Sequence, residues 1–237
     1  MGAPIQRFSA EDRRQQILDV ARSLFATKGF EGTTTREIAQ EARINEAIIF
    51  RHFPTKEDLY WAVLEDTSDV TAGRGLLEAD LKEAGDVRAV FTTIAERMLR
   101  RREADMTFTR LLLFSALEKH KLSERFFRAH VAQYYEMLAE YIRAQVAAGV
   151  FRPVDPVIAA RGFFGMVIYH SLIQNLFGGQ NVQPMDARTV AETLTSIWLD
   201  GMLAAGSPKR NQRPYPVPAT GSRTAKLPKG KNVPESI

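Results

Sequence analysis

Four histidines, three consecutive arginines and no cysteine set the outer limits of the chemistry open to this chain of 237 residues. His52, His120, His130 and His170 fall in no HExxH-type metal spacing and stand beside no nucleophile motif. Glu118 and His120, two positions apart, point to different faces of a helix and make a poor metal pair. No glycine-rich phosphate loop is present. Without cysteine there are no disulfides, thiolate metal sites or thiol nucleophiles, which also suits a reducing compartment and a cytoplasmic location. The expectation is therefore a protein that is not an enzyme and holds neither metal nor cofactor. Arg100-Arg101-Arg102 reads as a solvated helix end set against the C-terminal dipole. What remains is recognition, and it depends on the elements that position residues 33 to 56.

Those elements are helical. Start signals recur along the chain, and no segment alternates apolar and polar residues between turn signals, so the fold class is all-α. Ser9 with Asp12 opens a first helix that buries Ile17, Ala21, Leu24 and Phe25 and stops in the αL conformation at Gly29. Thr34 with Glu37 caps a second, Asn45 a third, and Thr55 with Asp58 a fourth. Asp86 starts a helix through about Arg102, and another follows from about Ala104 to His120. Helical spacing then continues from Ser123 to Ala148. Asp155-Pro156 begins an apolar helix that ends at Gly178-Gly179, and Asp186 begins the last. From Asp69 to Gly85 the pattern is broken by Gly73 and Gly75. The longest apolar stretch holds only Gly162 to Tyr169 without a strongly polar residue, too short to span a bilayer, so no membrane partner is expected.

The net charge of +4 is misleading until it is placed. Residues 1–64 carry 9 Lys/Arg against 9 Asp/Glu, residues 65–205 carry 16 against 18, and residues 206–237 carry 7 against 1. The basic excess lies in the last segment, which also has six of the eleven prolines and is expected to be disordered. Three regions follow: a helix-turn-helix domain at 1–66, a helical regulatory and dimerisation domain at 67–206, and a basic, Pro-rich tail at 207–237.

Only Ala42, Arg43 and Ile44 separate the second helix from the third, which is helix-turn-helix spacing and leaves one face of the third helix outward for a DNA major groove. The run GFEGTTTREIAQEARINEAIIFRHFPTKEDLYWAVLE resembles the N-terminal domain of the tetracycline-repressor (TetR) family. The paired threonines, Ile38-Ala39, His52-Phe53 and Lys56-Glu57 with Leu59 carry the likeness over about residues 11–66. The resemblance implies a homodimeric regulator of transcription, usually a repressor, bound to a palindromic operator in double-stranded DNA and released by a small ligand. It also implies that Thr33, Thr34, Phe50, His52 and Lys56 touch the DNA backbone; Arg36, Asn45, Glu46, Ala47 and Arg51 are the candidates for base edges or nearby phosphates. The sequence departs from the family pattern at Arg43, where glycine is usual, at Ala47, also usually glycine, and at Phe50, usually tyrosine.

Behind the reading head, the region from Phe91 to Tyr169 is rich in Phe, Met and Tyr, the composition of an apolar pocket for an apolar or amphipathic effector. Met98, Phe108, Phe114, Tyr134, Tyr135, Met137, Tyr141, Phe163, Phe164 and Met166 are its candidate walls, with Glu118, His170 and Gln174 as polar fixtures. Phe177 and Trp198, on the last two long helices, are candidate anchors of the dimer. The rival reading is a helical ligand carrier or enzyme whose N-terminal module is only structural.

Overall fold

The computed structural model describes residues 9–68, 70–82, 86–118 and 121–203. All belong to the unit Met1–Ala205; the expected tail from residue 207 lies outside them. Helix starts follow short polar side chains. At α1 (Ala10–Lys28), Ser9 Oγ accepts the Asp12 N–H at 3.0 Å and the Asp12 carboxylate accepts the Ser9 N–H at 3.1 Å. Thr34 caps α2 (Thr35–Glu41), Asn45 caps α3 (Glu46–His52), and Thr55 precedes α4 (Lys56–Ser68) with its oxygen accepting from the Asp58 N–H. Asp86, Asp155 and Asp186 do the same for α6 (Val87–Ala104), α10 (Pro156–Ser171) and α12 (Ala187–Met202). Each cap satisfies an amide that the first turn leaves without an intrahelical partner.

Two expectations about helix interiors change. The segment around Gly73 and Gly75 is helical, forming α5 (Val70–Lys82). A β-carbon at Gly73 would stand 2.6 Å from Tyr134 Oη, so glycine lets α5 approach α9 (Ala132–Ala147) closely despite its poor propensity. The long helix expected from Ser123 is instead α8 (Lys121–Phe126), a π-helical turn over Phe127–Val131, and α9. A second π turn, Leu172–Leu176, extends α10. α7 (Thr107–Leu117) lies between α6 and α8, and α11 (Gly179–Val182) is a single turn.

Apolar burial divides into two cores. One joins α5, α6, α9, α10 and α12 around Phe91, Phe163 and Trp198, whose rings lie 4.4–5.5 Å apart. Trp198 therefore faces the interior of its own chain, its indole N–H donating to the Ala159 carbonyl at 3.2 Å, and is not the exposed dimer anchor expected of it. The other core is built by α1–α4 around Phe25, Phe30 and Tyr60, with Leu111 from α7 and Leu122 and Phe126 from α8 completing it. The head thus shares its core with the body beyond residue 66. Pro156–Leu176 is long and apolar enough to cross a membrane by length and composition, but its inner side packs on α6, α9 and α12. Its outer side leaves Ile158, Tyr169 and Ile173 exposed, next to Phe177 at 75% exposure.

A DNA-reading head gripped from behind by the body

The turn between α2 and α3 is closed by a Schellman arrangement. Ile44 N–H donates to the Ala39 carbonyl at 2.9 Å and Arg43 N–H to the Gln40 carbonyl at 3.1 Å. Such a turn needs positive φ at its fifth residue, and Arg43 takes it at φ 54° without being glycine. Gln16 on α1 donates to the Ala42 carbonyl at 3.1 Å, and Thr35 donates to Glu46 at 2.6 Å, so the angle between the two helices is fixed from both sides.

This bonding divides the expected contact residues. Thr33 is fully buried and its hydroxyl donates to the Gly29 carbonyl at 2.8 Å, so it shapes the turn and presents no side chain to DNA. Thr34 and Asn45 cap helices, and Glu46 holds Thr35. On α3, Ala47, Phe50 and Arg51 share the i, i+3, i+4 face and are exposed, Phe50 by 44%; Arg36 stands exposed on α2. Arg36 and Arg51 enter no ion pair among the described residues. His52, half-buried, lies against Phe53, and the Lys56 ammonium sits 4.1 Å from the centre of the Phe30 ring. The outward face is therefore a methyl, an aromatic ring and two guanidiniums: groups that can meet thymine methyls, base edges and phosphates in a groove about 12 Å wide.

The back of the head is held by α7. Arg110 Nε donates to the Ala26 carbonyl at 2.7 Å, near the C-terminus of α1. The Glu118 carboxylate, just past α7, accepts the Phe30 N–H at 3.0 Å and the Glu31 N–H at 3.4 Å. Gly29 makes room for it, at φ 78° and ψ 178°, a conformation essentially restricted to glycine and different from the αL stop expected there. Phe114 packs on the same glycine. Phe114 and Glu118 thus belong to the junction with the head.

On its other side α7 borders a cavity of about 290 Å³. Of the expected pocket residues, Met98, Phe108, Tyr134, Tyr135 and Phe164 line it, and Gln174 does not. Phe163 is buried in the body core, where Met137, Tyr141 and Met166 pack beside it, and His170, half-buried on α10, is not among the lining residues. Its pKa is lowered by burial. Residues not expected in a pocket complete the wall: Leu112, Phe126, His130 and Ile168, with Arg97, Arg101, Arg102 and Asp105. The signal for Arg102 was its place one turn after Met98, on the same face of α6.

Residues 17–63 match the family described as bacterial regulatory proteins, tetR family, and residues 88–201 match the AefR-like transcriptional repressor, C-terminal domain. The chain belongs to the TetR family. It is thus a DNA-binding regulator of transcription, and α2–α3 is its helix-turn-helix. This TetR-family chain is 28% identical over 195 residues to the HTH-type transcriptional repressor KstR2 of Rhodococcus jostii, covering 80% of the chain and 91% of that protein. Its fold is shared with FadR from Bacillus subtilis in complex with stearoyl-CoA, at TM-score 0.62, 17% identity, and 79% and 98% of the two chains. It is shared also with AibR in complex with isovaleryl coenzyme A and operator DNA, at TM-score 0.58, 21% identity, and 78% and 97%.

Proposed function

We propose that this protein is a cytoplasmic, non-catalytic repressor that binds a palindromic operator as a homodimer and leaves it when a small apolar or amphipathic molecule fills the cavity. The observation that carries the reading is the double role of α7: Phe108, Thr109 and Leu112 face the cavity, while Arg110 and Glu118 hold the backbone of the head. A ligand that pushes on α7 changes how the head is held. FadR and AibR, which share the fold and hold acyl-coenzyme A molecules, support a ligand in the body; KstR2 supports repression.

Exposed Ile158, Tyr169, Ile173, Phe177 and Ile197 on and beside α10 and α12 support a dimer face, an apolar load that a lone chain would leave in water. A two-fold dimer sets the two α3 helices roughly 34–36 Å apart, one DNA turn. Arg36 and Arg51 then meet DNA from α2 and α3, and Lys56 and His52 flank them, with Thr33, Thr34, Asn45 and Glu46 setting the backbone that presents Ala47, Phe50 and Arg51.

Selection of bound sequences from random duplexes tests the reading: a palindromic consensus is expected, and absence of enrichment would favour the ligand carrier. With the consensus in hand, Arg51→Ala and Lys56→Ala each flatten the log-affinity against log-salt slope by about 0.9. Wild-type slopes in both would move the DNA face elsewhere. For release, the ligand must prefer the DNA-incompetent state, so operator DNA lowers ligand affinity by the same factor by which ligand lowers DNA affinity.

A further inference from the structure

The walls of the cavity are apolar over most of their extent, with Ile94, Met98, Phe108, Leu112, Phe126 and Phe164 among them, yet a guanidinium is set into them without a counter-charge. On the last turns of α6, Arg97 pairs with Asp80 and Arg100 with Glu96. Arg102 has no such partner among the described residues. Its Nη1 donates to the Met98 carbonyl at 3.1 Å, one turn back on its own helix, and its Nε is fully covered with no hydrogen-bond partner. Burial, with adjacent Arg101 adding repulsion, lowers its pKa to about 10. A covered cation held by one carbonyl is a poor structural element, because its desolvation is left uncompensated.

A second lining group has the same deficit. His130 stands in the π-helical turn, beside the rings of Trp61 at 6.0 Å and Phe126 at 4.6 Å, and its Nε2 is covered and without a partner. Such turns recur at functional sites, where they re-aim a side chain out of the helical register. Asp105 also lines the cavity, but it is exposed and its carboxylate is engaged by the Thr107 N–H at 2.8 Å.

We propose that the cavity binds an amphiphile with one anionic head, carboxylate or phosphate, anchored by Arg102 and hydrogen-bonded by His130, its apolar tail lying among the α6, α7 and α8 side chains. At about 290 Å³, the volume of roughly ten liquid water molecules, the space takes a tail on the order of ten heavy atoms. A neutral ligand of the same length fills the volume and leaves the Arg102 Nε as it was. A cationic one adds repulsion. The proposal rests on the reading of this cavity as the effector site.

The test uses the full chain without DNA, titrated with decanoate, decyl phosphate, decanol and decyltrimethylammonium. Tryptophan emission is the readout, in a Trp198→Phe background that leaves Trp61 beside His130 as the single reporter. The anionic amphiphiles are expected to bind at least about tenfold tighter than decanol, and the cation weakest. Which anion binds tighter distinguishes a carboxylate head from a phosphate head. Arg102→Met, which keeps the apolar stem, is expected to erase the anion preference while decanol affinity stays within about twofold. Arg102→Lys retains part of it, and both variants are checked by thermal unfolding. Decanol binding as tightly as the anions, an unchanged decanoate affinity in folded Arg102→Met, or no binding by any probe would overturn the proposal. Binding without operator release would instead overturn the effector reading and leave the anion site standing.

Discussion

The reading head and the cavity behind it treat their polar groups in opposite ways. In the head, Thr33, Thr34, Thr35, Asn45 and Glu46 are bonded to the protein itself, so the turn and the tilt of α3 are set before DNA arrives. In the cavity, Arg102 Nε and His130 Nε2 are covered and left without partners. A surface that must hold one shape satisfies itself internally. A pocket that responds to a molecule keeps donors whose partner is that molecule. α7 and the segment just beyond it join the two regimes, and variants there and in the head show how separable they are.

The largest effect is expected from Leu111→Ala. This side chain is on a body helix but is fully buried in the head's core, and truncation is expected to cost about 2–5 kcal/mol. In a chain of this size that lowers the melting temperature by roughly 2–4 °C per kcal/mol. Calorimetry should show one transition moved down as a whole. A head that kept its own transition while the rest shifted would break the comparison by making the head self-sufficient.

Next is Glu118→Ala, which removes the acceptor of the Phe30 and Glu31 amides. A cost of about 1–3 kcal/mol is expected, with weaker operator binding. Glu118→Gln, retaining one oxygen acceptor, should lose less of both. Urea unfolding and fluorescence anisotropy on operator DNA measure the pair, and operator affinity unchanged in both variants would show that the grip on the turn does not matter to reading.

Tyr60→Phe follows. The Tyr60 hydroxyl donates to the Leu111 carbonyl at 2.7 Å, and burial, reinforced by the nearby Glu118 carboxylate, raises its pKa. The unfolded chain releases this proton at a pH of about 10. Above that pH the folded state binds more protons than the unfolded, so this contribution to stability is complete below it and falls away as the pH rises further. Phenylalanine is expected to cost about 1 kcal/mol at neutral pH and to flatten the alkaline loss. Urea midpoints taken from pH 7 to pH 11 would show both, and an equally steep alkaline loss in the variant would assign it to other groups.

The smallest effect has the opposite sign. Left-handed backbone costs a side-chain-bearing residue about 1–2 kcal/mol, while glycine returns about 0.4–1 kcal/mol of entropy to the unfolded chain. Arg43→Gly is therefore expected to stabilise by about 0.5–1 kcal/mol, seen as a higher urea midpoint. A lower midpoint would mean that the Arg43 side chain supports the turn.

The head was legible in the sequence because its signals are local. Ser9 with Asp12, Thr34 with the Glu37 amide and Asn45 with the Ala47 amide act within three residues, and Ala42-Arg43-Ile44 is a turn whatever lies around it. What escaped the sequence was set at long range. Gly73 breaks a helical pattern until Tyr134, on another helix, supplies the reason for it. Glu118 and Phe114 look like pocket residues until α7 is packed on α1. Trp198 looks like an interface anchor until Phe91 and Phe163 close over it. Arg102 is one of three consecutive arginines, and only packing separates it from Arg100, which is solvated and paired.

The shared core of the head also bears on synthesis. Leu111, Leu122 and Phe126 close the cluster around Phe25 and Tyr60, so a nascent chain that has just released its DNA-reading helices still lacks part of their support. Those helices wait for roughly sixty further residues, about 3–12 s at ordinary translation rates of about 5–20 residues per second. Until then Phe30 and Tyr60 are open to the ribosome exit and to chaperones, and a chain interrupted before Phe126 is left with an unfinished head. Only a chain synthesised past Phe126 then carries a finished head, a checkpoint set by where three apolar side chains happen to be encoded.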